Sequence, residues 1–486
     1  MIVVLLINLY TVRVVLHTLG NVDYGIYNVV AGIITMLASF TGVFSSATQR
    51  FLSYSLGEGD HIRLKKIFSA SLHIFVAILI ISLLLGETVG VWFINTHLVI
   101  PHDRLAASNW IFQFSMLSFM ASMLAAPYLA ASIAHEDMGL FAIVTVIDAI
   151  LKLCFAFAIP YIPIDHLVFY GSYLCIVQVF TFLFYFFTCR RKYSECHYSA
   201  TRDWKLHKEI LSFSGWTLFS SFAVMGINQG IAILINIFFG PSANASLAIA
   251  IQINSALSTF CNSFIIAVRP PMIKSFAEKR YEYLKRLFSV SNKFTYYCML
   301  IIAIPLILEM PTVLHLWLGE NTAQLTILLC QLGVVYSVIL SLCNPISIIV
   351  QATGKMKQFT VPVELVTIST PIITYILFRL GFAAQSAFYS MIILVGIAHI
   401  VRLLFLKKIF PVISLRNYLI KFIIPAIAVT IFAVTACFFI HSSVPHDYIR
   451  FCCICGLSVF LVALFTFFIG LTNSERQLIK SLLKRE

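Results

Sequence analysis

"LKKIFSAS", Leu64 to Ser71, and "LKRLFSVS", Leu284 to Ser291, agree at five of eight positions and differ conservatively at the other three. They stand 220 residues apart. Each is a junction in which two basic residues lead into an apolar run. The same offset pairs Gly20 with Gly240, and an offset of 219 pairs Arg50 with Arg269. Any helix that enters a membrane from the cytoplasm tends to begin basic and turn apolar. That accounts for the lysines, but not for the shared Phe-Ser-x-Ser or for three landmarks in register. The chain reads as an internal repeat.

The runs that follow these junctions are membrane-like. The chain has 486 residues, of which 60% are apolar and only 11% charged, against about 25% charged in soluble domains. Apolar stretches of around 20 residues recur from end to end, and about 20 helical residues at 1.5 Å each cross a ~30 Å hydrocarbon core. The expected fold is an all-α polytopic membrane protein with about fourteen transmembrane helices, at 1–19, 24–46, 67–95, 107–134, 139–160, 164–188, 210–239, 243–268, 292–318, 323–350, 358–380, 383–406, 417–440 and 448–470. The spans at 67–95 and 210–239 exceed 25 residues, which calls for tilt or for ends that reach the headgroups. "MIVVLLINLYTVRVVLHTLG" has no basic leader and no small-residue cleavage site, so it reads as a first membrane helix rather than a signal peptide. Its abrupt apolar start raises the expectation that the natural chain begins upstream.

Charge fixes the expected orientation. Of the 33 Lys and Arg, 28 lie in the segments after spans 2, 4, 6, 8, 10 and 12, at the helix ends beside them, or in the C-terminal segment. The opposite loops hold Arg104 and Arg450, and Arg13, Lys152 and Arg379 lie within spans. By the positive-inside rule both termini are cytoplasmic. The net charge of +13 is then mostly membrane orientation and gives no reason to invoke nucleic acid. Spans 1–6 and 7–12 form two halves. Six is even, so both enter the membrane in the same sense, as a parallel repeat related by an axis along the membrane normal, a transporter design. The expected divisions are 1–208 (N-lobe), 209–409 (C-lobe) and 410–486 (spans 13 and 14 and the tail).

No loop is long enough to hold a domain, so function must reside in the membrane or at its faces. The phosphate loop G-x-x-x-x-G-K-[ST], H-E-x-x-H and G-x-S-x-G are absent. The reading is of a protein that is not an enzyme and has no bound cofactor. The twelve cysteines are scattered and mostly within spans, as expected of buried free thiols rather than a metal site.

Ionisable and polar residues inside spans are the candidates for function. Asp148 and Lys152 are four apart in span 5, on one helix face. They read either as a self-neutralising pair or as an ion- or proton-sensitive pair lining a cavity. Glu364, in span 11, is an isolated acid and a further candidate for ion coupling. Arg13 reads as a snorkelling side chain or as a cavity cation for an anionic substrate. Arg50 and Arg269, at equivalent helix ends of the repeat, read as orientation charges or as a pair facing the cleft between halves. Span 7 carries Asn228, Gln229 and Asn236. Span 8 carries Gln252, Ser255, Thr259, Asn262 and Ser263 on one helical face. Such a stripe suits water and sugar hydroxyls as well as it suits interhelical hydrogen bonds. Gln229, Gln252 and Asn262 are its substrate-binding candidates.

"LYTVRVVLHTLGNVDYGIYNVVAGI", followed by "SSATQRFLSYSLGEGD", resembles the polysaccharide transporters (Wzx-type flippases) of the MOP superfamily, which also holds the MATE exporters and the lipid II flippase MurJ. "PYLAASIAHEDM" after span 4 and "VRLLFLKKIF" after span 12 are further matches. The resemblance implies fourteen helices in two lobes around a cationic cavity. It implies translocation of an undecaprenyl-pyrophosphate-linked oligosaccharide across a bacterial inner membrane, for O-antigen, capsule or exopolysaccharide synthesis. It implies that Arg13 and Arg50 match the cavity arginines; Arg269 extends that set through the repeat. Expected partners are the lipid-linked substrate, the bilayer, and a polysaccharide polymerase with glycosyltransferases. Coupling to H+ or Na+ is expected. The rival is a MATE-like proton- or sodium-coupled multidrug exporter, whose cavity should be acidic.

Overall fold

The computed structural model describes residues 2–96, 100–199, 203–319, 323–445, 448–472 and 475–477. Helices account for nearly all of them, and the described residues contain no strand. In chain order the α-helices are α1 (Ile2–Glu58), α2 (His61–Leu85), α3 (Val91–Thr96), α4 (Leu105–Ala134), α5 (Met138–Ala158), α6 (His166–Lys192), α7 (Trp204–Ala277), α8 (Tyr281–Leu308), α9 (Met310–Leu318), α10 (Gln324–Ser341), α11 (Cys343–Thr353), α12 (Met356–Arg379), α13 (Ser386–Ile409), α14 (Leu415–Tyr418), α15 (Ile424–Ser443) and α16 (Tyr448–Phe465). Eleven stretches of the described residues are long and apolar enough to cross a membrane. One of them, α7, holds two expected spans joined at Gly240, and α1 holds two more joined at Gly20. The fourteen expected spans are thus accommodated.

The repeat is written in the backbone. Gly20 (φ 75°, ψ 172°) and Gly240 (φ 81°, ψ −178°) break α1 and α7 with nearly the same dihedrals. That region is essentially closed to side-chain-bearing residues, so glycine is required at both breaks. The next turns also correspond. Gly59 (φ 73°) and Lys279 (φ 59°) are both left-handed. The Asp60 N–H donates to Ser55 O at 3.2 Å, and the Arg280 N–H donates to Ser275 O at 2.9 Å. These are the helix-ending bonds expected where a left-handed residue stops a helix, and each partner lies 220 positions from its counterpart. The Asp60 carboxylate then caps α2 by accepting from the Arg63 N–H at 2.9 Å.

The chain divides into two compact units, Met1–Leu218 and Phe219–Glu486. In the first, α4 packs against α1 and α6. The long third span does not simply tilt. Its helix breaks at a π-helical turn, Gly86–Gly90, before α3. A Cβ at Gly86 would lie 1.9 Å from Met116 Cε, and one at Gly90 would lie 2.6 Å from the Phe112 ring. The G-x-x-x-G spacing therefore lets this segment press onto α4. In the second unit, a core of Ile231, Ile235, Leu247, Leu314, Leu329 and Phe388 joins α7, α9, α10 and α13. Helices α15 and α16 pack on α8 within this unit, so the expected third segment, 410–486, belongs to a larger body. Large apolar side chains such as Ile80, Leu84, Ile427, Ile431 and Phe439 remain exposed, as a lipid-facing surface requires. Cys154, Cys452 and Cys453 are also exposed and do not fit the expectation of buried thiols.

Candidate functional site

Each unit carries a buried cationic centre. In the first, Arg50 is only 8% exposed. Its guanidinium lies over three rings, 4.6 Å from the centroid of Phe51, 5.3 Å from Tyr54 and 5.4 Å from Phe213. A guanidinium stacks favourably on aromatic faces. Beyond the rings, Glu58 pairs with Arg63 at 3.3 Å. Arg13 lies on α1, and its side chain falls outside the described residues.

In the second unit Arg269, on α7, is partly buried. Its Nε is closed off from solvent and meets no hydrogen-bond partner among the described residues. A second buried arginine lies on α13. Arg402 is 8% exposed and donates through Nη1 to Cys343 Sγ at 3.3 Å. The same sulfur lies 3.6 Å from His399 Nδ1. Glu364, on α12, is 7% exposed, and its Oε2 accepts from Thr367 Oγ1 at 2.8 Å. The acid expected to be isolated therefore has a local donor.

Asp148 and Lys152 meet at 2.7 Å within one helix, and both side chains are partly exposed. The polar stripe is partly as expected. Gln252, Ser255, Thr259 and Asn262 all lie on the exposed surface of the second unit, as does Gln229. The hydroxyls of Thr259 and Ser263 bond back to carbonyls one turn earlier, at 2.8 and 2.9 Å. Asn228 lines a 280 Å³ cleft of this unit together with Asn254, Ser255 and Ser258. Asn254 Oδ1 accepts there from Ser337 Oγ at 2.9 Å. Gln229, Gln252 and Asn262 are exposed and do not line that cleft.

A model of polysaccharide biosynthesis proteins matches residues 1–276. The chain belongs to that family. No curated protein matches it in sequence. Solved structures carry the fold comparison for this member of the polysaccharide biosynthesis family. An outward-facing multidrug-resistance MATE transporter of the MOP superfamily superposes with a TM-score of 0.68 at 13% identity, covering 84% of this chain and 92% of that one. A MOP-superfamily transporter from Pyrococcus furiosus, described as having a binding pocket of reversed polarity, gives 0.64 at 16% identity, with the same coverage of both chains. The MATE transporter ClbM in complex with Rb+ gives 0.69 at 14% identity, over 85% of this chain and 93% of that one. At these identities the likeness is one of fold.

In this family member the "PYLAASIAHEDM" segment is a fastener. The His135 ring stacks on Tyr193 at 4.2 Å, and its Nε2 hydrogen-bonds the buried Glu195 carboxylate. Asp137 caps α5 by accepting from the Leu140 N–H at 3.3 Å, and also accepts from Lys192 Nζ and from Tyr193 Oη at 2.8 Å. Burial alone would raise the Asp137 pKa. The hydrogen bonds from Lys192, Tyr193 and the Leu140 N–H outweigh it and hold the carboxyl below its usual range. At the opposite end, Arg104 is clasped between Asp23 and Asp165. In the second unit Glu309, which is fully buried, binds Arg450, His441 and Thr312. Neither cluster was predicted from sequence. The members come from segments far apart in the chain, and only their unusual position, charged residues at the ends of apolar spans on the Lys- and Arg-poor side, marks them.

Proposed function

We propose that this protein moves an undecaprenyl-pyrophosphate-linked oligosaccharide from the inner to the outer leaflet of a bacterial inner membrane by alternating access, serving surface polysaccharide synthesis. The observation that carries the reading, beside family membership, is the sign of the buried charge. The acids within the spans are answered locally, Asp148 by Lys152 and Glu364 by Thr367. Arg50, Arg269 and Arg402 add positive charge well inside the two units. A pyrophosphate needs cations, and arginine grips phosphate oxygens two at a time. The exposed amides Gln229, Gln252 and Asn262 offer donors and acceptors to sugar hydroxyls. Parallel repeated halves are a recurrent architecture for alternating access.

The test is a deletion strain. Lipid-linked repeat units should accumulate on the inner face, and wild-type surface polysaccharide would overturn the proposal. Charge removal at Arg13, Arg50 or Arg269 should lower transport at unchanged protein level. Both termini are placed in the cytoplasm by the charge bias. The polymerase and glycosyltransferases that handle the same substrate are the proposed partners. Cation coupling is proposed at Glu364 rather than at Asp148 and Lys152, because Glu364 is more buried and has no lysine or arginine hydrogen-bonded to it among the described residues.

The second reading, a multidrug exporter, is favoured by the likeness to a multidrug-resistance MATE transporter. It needs an acidic site for cationic cargo, whereas buried Glu195 and Glu309 are engaged by His135 and by Arg450 and His441. Increased drug sensitivity in the deletion strain, with intact surface polysaccharide, would support the exporter instead.

A further inference from the structure

At the Lys- and Arg-rich end of the second unit, the start of α8, the turn from α14 toward α15 and the segment after α16 enclose a cleft of about 670 Å³. That is the size of a small-molecule site. Two polar groups in its wall are buried and unsatisfied. Asn292 is 1% exposed. Its Nδ2 donates to Phe288 O at 2.7 Å, but its Oδ1 meets no partner among the described residues. Tyr418 is 6% exposed, and its hydroxyl also meets none among the described residues. Both atoms are closed off from solvent, so they lie behind the cleft surface, and a ligand there is met by the exposed side chains instead.

The charge of the cleft sets the sign of that ligand. Lys285 is held by Glu282 at 2.7 Å, and Glu475 is held by the buried Lys293 at 2.6 Å. Arg286 and Lys421, both exposed, have no acidic partner among the described residues and remain to face an anion.

The cleft does not end at Arg286. A second groove, about 400 Å³ and almost wholly apolar, shares Arg286 and Glu475 with it. Val290, Phe294, Cys298 and Ile301 of α8 form one wall, and Ala463 and Phe467 form the other. Along α8 the stretch from Val290 to Ile301 rises about 16 Å, close to half of the ~30 Å hydrocarbon core. A cationic polar compartment opening onto an apolar groove one leaflet deep is the negative of a phospholipid.

We propose that this double cavity is a binding site for one anionic phospholipid of the cytoplasmic leaflet. Its phosphate lies between Arg286 and Lys421, and one acyl chain runs along Val290 to Ile301. The basic end is assigned to the cytoplasm by the charge bias. Basic pockets between membrane helices on that side are suited to anionic headgroups. The assignment is independent of the cargo proposed above.

The test is native mass spectrometry of the full-length protein, with phosphatidylglycerol, phosphatidylethanolamine, inorganic phosphate and undecaprenyl phosphate as separate additions. Phosphatidylglycerol should be retained in preference to phosphatidylethanolamine. The double variant Arg286→Ala/Lys421→Ala should weaken its retention about tenfold or more, with unfolding temperature unchanged, because both side chains are exposed. The variant Phe294→Trp, which narrows the groove without touching charge, should weaken it too. Equal retention of the two phospholipids, or no effect of the double variant, would overturn the site. Displacement of phosphatidylglycerol by inorganic phosphate would overturn the acyl-chain assignment. Displacement by equimolar undecaprenyl phosphate would overturn the phospholipid in favour of a cargo lipid.

Discussion

Arg450 reaches Glu309 across 141 positions of chain, with Nη2 at 2.9 Å from Oε2 and Nε at 2.6 Å from Oε1. The glutamate is completely buried at the junction of α8 and α9, where it also accepts from Thr312 Oγ1 at 2.9 Å and meets His441 Nδ1 at 2.8 Å. A carboxylate in such a place persists only because its oxygens are answered. Glu309→Ala strands the arginine and should destabilise the protein by about 3–5 kcal/mol. Glu309→Ala/Arg450→Ala should cost clearly less than the two single changes added together. Thermal unfolding of the purified protein in detergent reads both, and additive losses would show that the pair is not coupled.

Gly20 and Gly240 test the repeat. A Cβ at either meets nothing within 4 Å, so alanine would bring no clash and the penalty is conformational alone. Each Gly→Ala change should cost about 1–3 kcal/mol, visible as a lower unfolding temperature. Lys279→Gly, at a left-handed residue (φ 59°), should be neutral or stabilising by up to about 1 kcal/mol.

Asp137 should confer a pH dependence of known sign. Its folded pKa lies below the ordinary carboxylate value. The stability it contributes is complete above the unfolded pKa near 4 and is lost as pH falls through the lower folded value. Lys192 is half exposed, so screening limits its share, and the total is about 1 kcal/mol, the size of a helix cap. Asp137→Asn should remove that acid-side slope in unfolding temperature between about pH 5 and 2.

Asp148 and Lys152 distinguish structure from coupling. Removing either charge leaves the other inside a span at a cost of roughly 2.5–3.5 kcal/mol, so each single neutral variant should lower membrane abundance. Asp148→Asn/Lys152→Gln should recover it. Transport per molecule in the double variant should match wild type if the pair only neutralises itself; a loss there would assign it a coupling role.

The spans, the parallel repeat and the two glycine breaks were legible in the sequence because each is local. A run of apolar residues, a basic junction or a lone glycine carries its own cause. Arg402 was not legible. In sequence it belongs to "VRLLFLKKIF" and looks like one more cytoplasmic lysine or arginine. Only folding brings Cys343, 59 positions away, under its guanidinium. The same holds for Glu309 and Arg450, whose meaning lies in a partner that no spacing rule links to them. Arg50 lies between these cases. Its place at a helix end was visible, whereas the ring of Phe213 that closes over it comes from the start of another helix.

The left-handed turns also act as a record of descent. Gly20 and Gly240 are 220 apart, and so are Gly59 and Lys279, but the next corresponding pair, Glu136 (φ 62°) and Gly354 (φ 74°), is 218 apart. Glycine has been exchanged for lysine or glutamate at these corners while the bend itself was kept. Dihedral angles have thus outlived residue identity as the trace of a duplication. They also bracket a net length difference: between the corner that precedes α2 and the corner that precedes α5, the first half is two residues longer than the matching stretch of the second.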